Sequence, residues 1–179
     1  MTAIAGIAEG GKVWIGSDSA GSDGCSMTTR LDPKVFINGD FIFGYTSSFR
    51  MGQILEYEFQ PPTPHENESG MAYMVRRFIP SVRDALKAGG FGRCENGQEV
   101  GGDFLVGYRG ELYEIQSDYQ VSRKRQNYNA CGGGHDLILG SLHATDNHGL
   151  PPDERITMAI EAAIAFSAGV RGPCTILSI

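Results

Sequence analysis

The sequence is poor in the paired patterns that announce metals and nucleotides. It has no Cys-x-x-Cys pair, no His-Glu-x-x-His and no Gly-x-x-x-x-Gly-Lys-Ser/Thr. The first two absences leave no zinc pattern, and the third leaves no phosphate loop, so any ATP-driven step belongs to another polypeptide. His135, His143 and His148 lie near one another in the chain, but without paired cysteines they make no metal site. No apolar run approaches the roughly 18 residues of a membrane span. The first residues lack a basic segment leading into an apolar one, which argues against a secretory signal. A cytoplasmic chain is the expectation, and the widely spread Cys25, Cys94, Cys131 and Cys174 are then free thiols. Basic residues are also scarce: 15 Lys and Arg stand against 21 Asp and Glu, a net charge of −6. That balance disfavours nucleic acid and anionic membrane surfaces as partners. The one dense basic run, Arg123-Lys124-Arg125, reads as a solvated turn.

What is present is the composition of an ordinary folded domain, 41% hydrophobic and 20% charged over 179 residues, with no repeat and no dividing linker. One domain, residues 1–179, is expected. Residues 3–9 and 12–17 read as a hairpin turning at Gly10-Gly11, and residues 18–33 as a loop. A second hairpin, 35–37 with 41–43, turns at Asn38-Gly39. Met51, Ile54 and Leu55 mark a helix that Pro61-Pro62 ends. Met71, Met74, Val75, Phe78, Ile79, Val82 and Leu86 mark a longer one, with a kink expected at Pro80. Residues 91–102 are glycine-rich and expected to be mobile, while 104–108 with 111–115 form the clearest hairpin. A strand near 128–131, a helix carrying Leu137, Ile138 and Leu142, a helix carrying Ile156, Ile160 and Ala163, and a strand from 173 to 179 complete the chain. Strands, two helices, strands, two helices and a strand point to an α+β fold with two antiparallel sheets between helical layers.

The chemistry centres on Thr2. Once Met1 is removed, Thr2 carries both a hydroxyl and a free α-amine, whose reference pKa of about 7.7–8.0 leaves a useful fraction neutral and basic near pH 7. One residue then supplies nucleophile and general base together. Asp18, in Gly16-Ser17-Asp18-Ser19, and Lys34, in Pro33-Lys34-Val35-Phe36, are the charged partners. Lys34 beside Thr2 stabilises a developing alkoxide and keeps the amine's pKa from rising, and Asp18 paired with Lys34 holds that cation. Taken singly, either residue reads better as an ordinary salt-bridge or solvent-facing residue; it is the set with Thr2 that points to catalysis.

A terminal strand beginning with Thr, a strand ending Gly-x-Asp-Ser and a Lys-Val-Phe opening a hairpin resemble the proteasome β-subunit family of N-terminal-nucleophile hydrolases, including its HslV-type bacterial members. The resemblance implies a four-layer αββα sandwich and the catalytic roles of Thr2, Asp18 and Lys34. It places an oxyanion-binding amide at Ser47, where the family keeps a glycine, and makes Tyr45 a wall of the pocket beside the cut. As a residue, Tyr45 also fits a core aromatic. The chain departs from the family at Gly133, where a serine stands within a Gly-Ser-Gly turn, and at 167–170, where an Asp-x-x-Ser becomes Ser167-Ala168-Gly169-Val170. A shifted Ser167 or a water is the expected substitute. Read instead as a phosphate cradle, Gly132-Gly133-Gly134 lacks the Lys-Ser/Thr continuation and meets Asp136, so it reads as a structural turn.

The resemblance implies a threonine endopeptidase with no cofactor and no metal. Its partners are a homo-oligomeric ring, unfolded polypeptide substrates and a separate ATPase unfoldase. The short chain, with no long propeptide, sits closer to the bacterial type. Two other readings stand beside it: a catalytically silent ring subunit, and an amidase acting on a small amide. The helices Met51–Phe59 and Met71–Ala88 are read as supplying much of the ring contact, although the periodicity of the second one's apolar stripe equally allows burial on the subunit's own sheet.

Overall fold

The computed structural model describes residues 2–179; Met1, whose removal the Thr2 chemistry requires, lies outside the described residues. Alternation of side chains along the first two strands sets the architecture. In β1 (Ile4–Glu9) and β2 (Lys12–Ser17), Ile4, Val13 and Ile15 face one way, and Ala5 and Ile7 face the other. The first set meets Val35, Ile42 and Leu105 in a cluster between two sheets, while the second meets Ile138, Leu142, Ile156 and Ile160 of two helices.

The first sheet has the order β12-β1-β2-β13, all pairs antiparallel, with β12 (Tyr128–Cys131) and β13 (Thr175–Ser178) at its edges. The second has the order β11-β10-β9-β6-β5. It is built from β5 (Val35–Asn38), β6 (Phe41–Tyr45), β9 (Phe104–Tyr108), β10 (Glu111–Ile115) and the two-residue β11 (Val121–Ser122). The outer face of the first sheet carries α4 (His135–Ala144) and α5 (Pro152–Phe166).

The outer face of the second sheet carries the other helices. α1 (Phe49–Gln53), capped by the Ser48 hydroxyl, runs straight into a π-helical stretch, Ile54–Glu58. α2 (Gly70–Tyr73), capped by Ser69, leads through a π-helical stretch, Met74–Phe78, into α3 (Ile79–Ala88). The expected interruption at Pro80 thus takes the form of a π turn: proline has no N–H and crowds the carbonyl four residues back, so the regular ladder restarts with Pro80 in the first turn of α3.

Three expectations are corrected. The stripe Met74, Phe78, Ile79, Val82 and Leu86 is buried in the subunit's own aromatic core with Phe41, Phe43, Tyr73 and Tyr108; only Val75 looks outward, at 51% exposure. The stripe therefore serves this subunit and is no argument for a ring contact. The loop assigned to 18–33 contains a small hairpin, β3 (Ala20–Ser22) with β4 (Met27–Thr29). The segment 91–102 contains another, β7 (Arg93–Glu95) with β8 (Gln98–Val100), turning at Asn96-Gly97. That dipeptide is the same hairpin signal that marks Asn38-Gly39. Arg123 and Lys124 pair with Glu111 and Glu114. All four cysteines are free, and among the described residues no helix is long and apolar enough to cross a membrane.

Candidate active site

Asp18 leaves β2 where the ladder with the first strand continues for one more bond, its own N–H donating to the Ala3 carbonyl at 3.1 Å. Its carboxylate is buried and accepts four hydrogen bonds. Oδ1 takes Ala3 N–H at 3.0 Å and the Lys34 ammonium at 2.5 Å; Oδ2 takes Ala20 N–H at 3.0 Å and Arg171 N–H at 3.2 Å. A buried carboxylate is tolerable only with its lone pairs met this fully. Lys34 is equally deep, 1% exposed, at the head of β5. Burial pushes the Lys34 ammonium below its ordinary pKa; the hydrogen bond to Asp18 and its negative charge oppose that push without cancelling it, and Arg30 adds to the lowering. The pairing read from the sequence is thus present: Asp18 and Lys34 form a buried ion pair beside the start of the first strand.

Thr2 is 8% exposed and lines the same cavity as Lys34, a cleft of about 490 Å³ whose walls include Ala20, Ser22, Tyr45 and Ser47. Its carbonyl is anchored by Gly134 N–H at 3.2 Å. Gly132 stands directly behind it with φ +91°, and a Cβ there would lie 2.3 Å from the Thr2 carbonyl oxygen, so only glycine lets the β12 end pass so close.

The opposite wall is the turn after β6. Thr46 N–H donates to the Asp103 carbonyl at 3.0 Å and Ser48 N–H to the Thr46 carbonyl at 2.8 Å. Between them Ser47 has φ +69°, a left-handed conformation in which a side chain is strained. The Ser47 hydroxyl accepts a hydrogen bond from Asp103 N–H at 3.1 Å. Tyr45 fits both of its readings at once. It is buried in the aromatic core, its ring edge-on to Phe49 at 6.3 Å, and it also lines the cleft; burial pushes its hydroxyl up to about 12.

Gly133 lies elsewhere. It lines a second cavity, of about 460 Å³, with Asp103, Glu114, Gln116 and His135, and Thr46 borders both this cavity and the Thr2 cleft. Ser167 lines neither cavity; its N–H closes α5 on Ala163, and the chain then folds Val170 against Gly134. What 167–173 brings to the site is main chain: the Arg171 amide on Asp18, with Ser19 N–H bonded back to the Arg171 carbonyl and the Ser19 hydroxyl to Pro173. Arg171 and Asp103 were missed from sequence because their contribution is an amide, and every residue but proline carries one.

No family model matches the chain, and no curated protein matches it in sequence. Solved structures do. BPH from Thiobacillus denitrificans, in complex with epoxomicin, superposes with a TM-score of 0.82 at 18% identity over 99% of this chain and 98% of that one. Eukaryotic HslV from Trypanosoma brucei gives 0.70 at 16% over 99% and 98%. Anbu, the ancestral beta-subunit, from Yersinia bercovieri gives 0.66 at 13% over 99% and 81%. Identities this low speak for the fold alone: the chain shares the fold of these three structures.

Proposed function

We propose that this chain is a threonine peptidase whose nucleophile is the Thr2 hydroxyl, freed for action by removal of Met1. The observation that carries this reading is that Thr2 and Lys34 line one cleft while Asp18 grips Lys34 from behind. The Thr2 Oγ attacks the scissile carbonyl carbon, and the α-amine takes the hydroxyl proton, directly or through a water. Lys34 stabilises the alkoxide as it forms, and the Ser47 N–H donates to the oxyanion. Collapse expels the leaving amine, which takes up the proton, and an ester on Thr2 remains for water to hydrolyse. Tyr45 walls the side of the cleft that receives the residue before the cut.

The three apolar clusters serve as the three seams of a four-layer αββα sandwich, helices outermost. The resemblance further supports a homo-oligomeric ring enclosing these sites in the cytoplasm, with unfolded polypeptide as substrate and a separate unfoldase feeding it. The second reading, a silent subunit of such a ring, draws on one observation. Gly133 and Val170, the latter buried against Gly134, leave no hydroxyl where the resemblance sets its supporting serines, and Ser167 leaves no carboxylate where it sets its Asp. Hydrolysis of a short peptide amide by protein whose intact mass shows Met1 absent, lost on Thr2→Ala, is the expected result. Turnover by protein that retains Met1 throughout rejects the mechanism.

A further inference from the structure

We infer that the Ser47 side chain is a positioning group: its hydroxyl, held by Asp103 N–H, locks the turn in the left-handed conformation that presents the Ser47 N–H to the cleft. This rests on the peptidase reading above and deepens it. A serine gains nothing from φ +69° by itself; its Cβ is crowded there relative to the right-handed regions. A conformation of that kind persists only where the surroundings over-determine it.

Here both backbone groups of Asp103 do so. Its carbonyl takes Thr46 N–H at 3.0 Å, and its N–H donates to the Ser47 Oγ at 3.1 Å. The two bonds bracket the peptide unit that joins Thr46 to Ser47, whose only hydrogen is the Ser47 N–H. Among the described residues, that N–H donates to no protein group, while its neighbours Thr46 and Ser48 are both engaged. Access is built in as well. A Cβ on Gly102 would lie 3.0 Å from the Ser47 Cβ and 2.6 Å from the Met51 sulfur, so the strand entering Asp103 comes this close because residue 102 is glycine. The far side of the clamp is β9, a buried central strand of its sheet, which gives the turn a rigid post. A glycine at 47 would reach the left-handed region freely and keep the main-chain bonds of Thr46 and Ser48, but would lose the bond from Asp103 N–H. Serine accepts the crowding and supplies its own latch.

Two variants separate the parts. Ser47→Gly keeps the conformation accessible and removes the latch; Ser47→Ala removes the latch and keeps the crowding. Turnover is normalised to active sites titrated with a peptide that acylates Thr2, so partial misfolding does not count as lost catalysis. Loss of a whole oxyanion donor costs about 10²–10³-fold in kcat. The expected losses are roughly tenfold for Ser47→Gly and roughly a hundredfold for Ser47→Ala, within that bound, with KM unchanged. Affinity for a peptide aldehyde, whose adduct on Thr2 places an oxyanion in the cleft, falls in step with kcat, which a purely structural role would not produce. Amide exchange at Asp103 N–H speeds up in both variants. The inference is overturned if both variants keep kcat within twofold of wild type, or if Asp103 exchange is unchanged in Ser47→Gly. Thr2→Ala separates the two levels: when it abolishes turnover and the Ser47 variants do nothing, the peptidase reading stands and the latch falls. When turnover survives Thr2→Ala, both fall.

Discussion

The two walls of the cleft are held in opposite ways. On one side, the Asp18 carboxylate accepts four donors from four parts of the chain, and its partner Lys34 is sealed from water. On the other, the Thr46–Ser47 turn hangs on two hydrogen bonds to Asp103 and carries a strained residue at its tip. A formal charge in a low-dielectric site must be held redundantly, because one missing partner leaves an uncompensated ion. A backbone amide costs far less to aim, so two bonds and a left-handed turn suffice.

Substitutions test that contrast. The largest effect is expected at the residue between the walls: Thr2→Ala lowers turnover per folded subunit by about 10⁴-fold or more, since neither wall reacts without the nucleophile. Its melting temperature stays near that of the wild type, measured by calorimetry. Next comes the charged wall. Lys34→Ala strands a buried carboxylate and costs about 3–5 kcal/mol in chemical denaturation, along with most of the turnover. A loss under about 1 kcal/mol, the range of exposed pairs, would mean that water reaches Asp18 and that the contrast is wrong.

Gly132→Ala drives a methyl group against the Thr2 carbonyl at a positive φ and is expected to cost about 2–3 kcal/mol by the same measurement.

The pH dependence sharpens the comparison further. Because the folded Lys34 pKa is lowered, turnover falls as pH rises through a value below the ordinary lysine range of about 10.4. The contribution to stability runs the other way. Between the lowered folded value and the ordinary one, the unfolded chain binds more protons, so this group's contribution to stability rises with pH across that window. An alkaline limb at the ordinary lysine value would place Lys34 in water. The smallest effect is expected on the turn side. Tyr45→Phe removes a hydroxyl that makes no hydrogen bond among the described residues and is not one of their buried unpaired atoms, and changes KM for a peptide amide by less than about twofold.

The same contrast explains what could be read in the residues alone. The meeting of Thr2 with Lys34, and the Asp18–Lys34 pair, were legible because both live in side chains at particular spacings, and the alternation through Ile4, Val13 and Ile15 made the strand faces legible too. The buried stripe from Met74 to Leu86 was legible as a helix but ambiguous as a surface, since periodicity says which side is apolar and not what covers it. The Ser47 latch and the Arg171 amide were illegible: an amide donor has no residue signature, and a left-handed serine is visible only in its backbone angle. The small hairpins at 20–29 and 93–100 were hidden because their three-residue strands are too short to carry the apolar alternation by which strands are read.

The Asp18 cage also has an order in time. Its donors come from residues 3, 20, 34 and 171, and the last of these closes a loop of 153 residues. Local bonds form quickly, whereas a contact at that separation waits on the whole intervening chain and the entropy of closing it. As the polypeptide emerges from the ribosome, the hairpin that carries Asp18 comes out well before its fourth donor, 153 positions further on. The carboxylate that steadies Lys34 is therefore fully caged only after the C-terminal strand has docked beside β2. A growing chain holds Thr2, Asp18 and Lys34 long before it holds them in register.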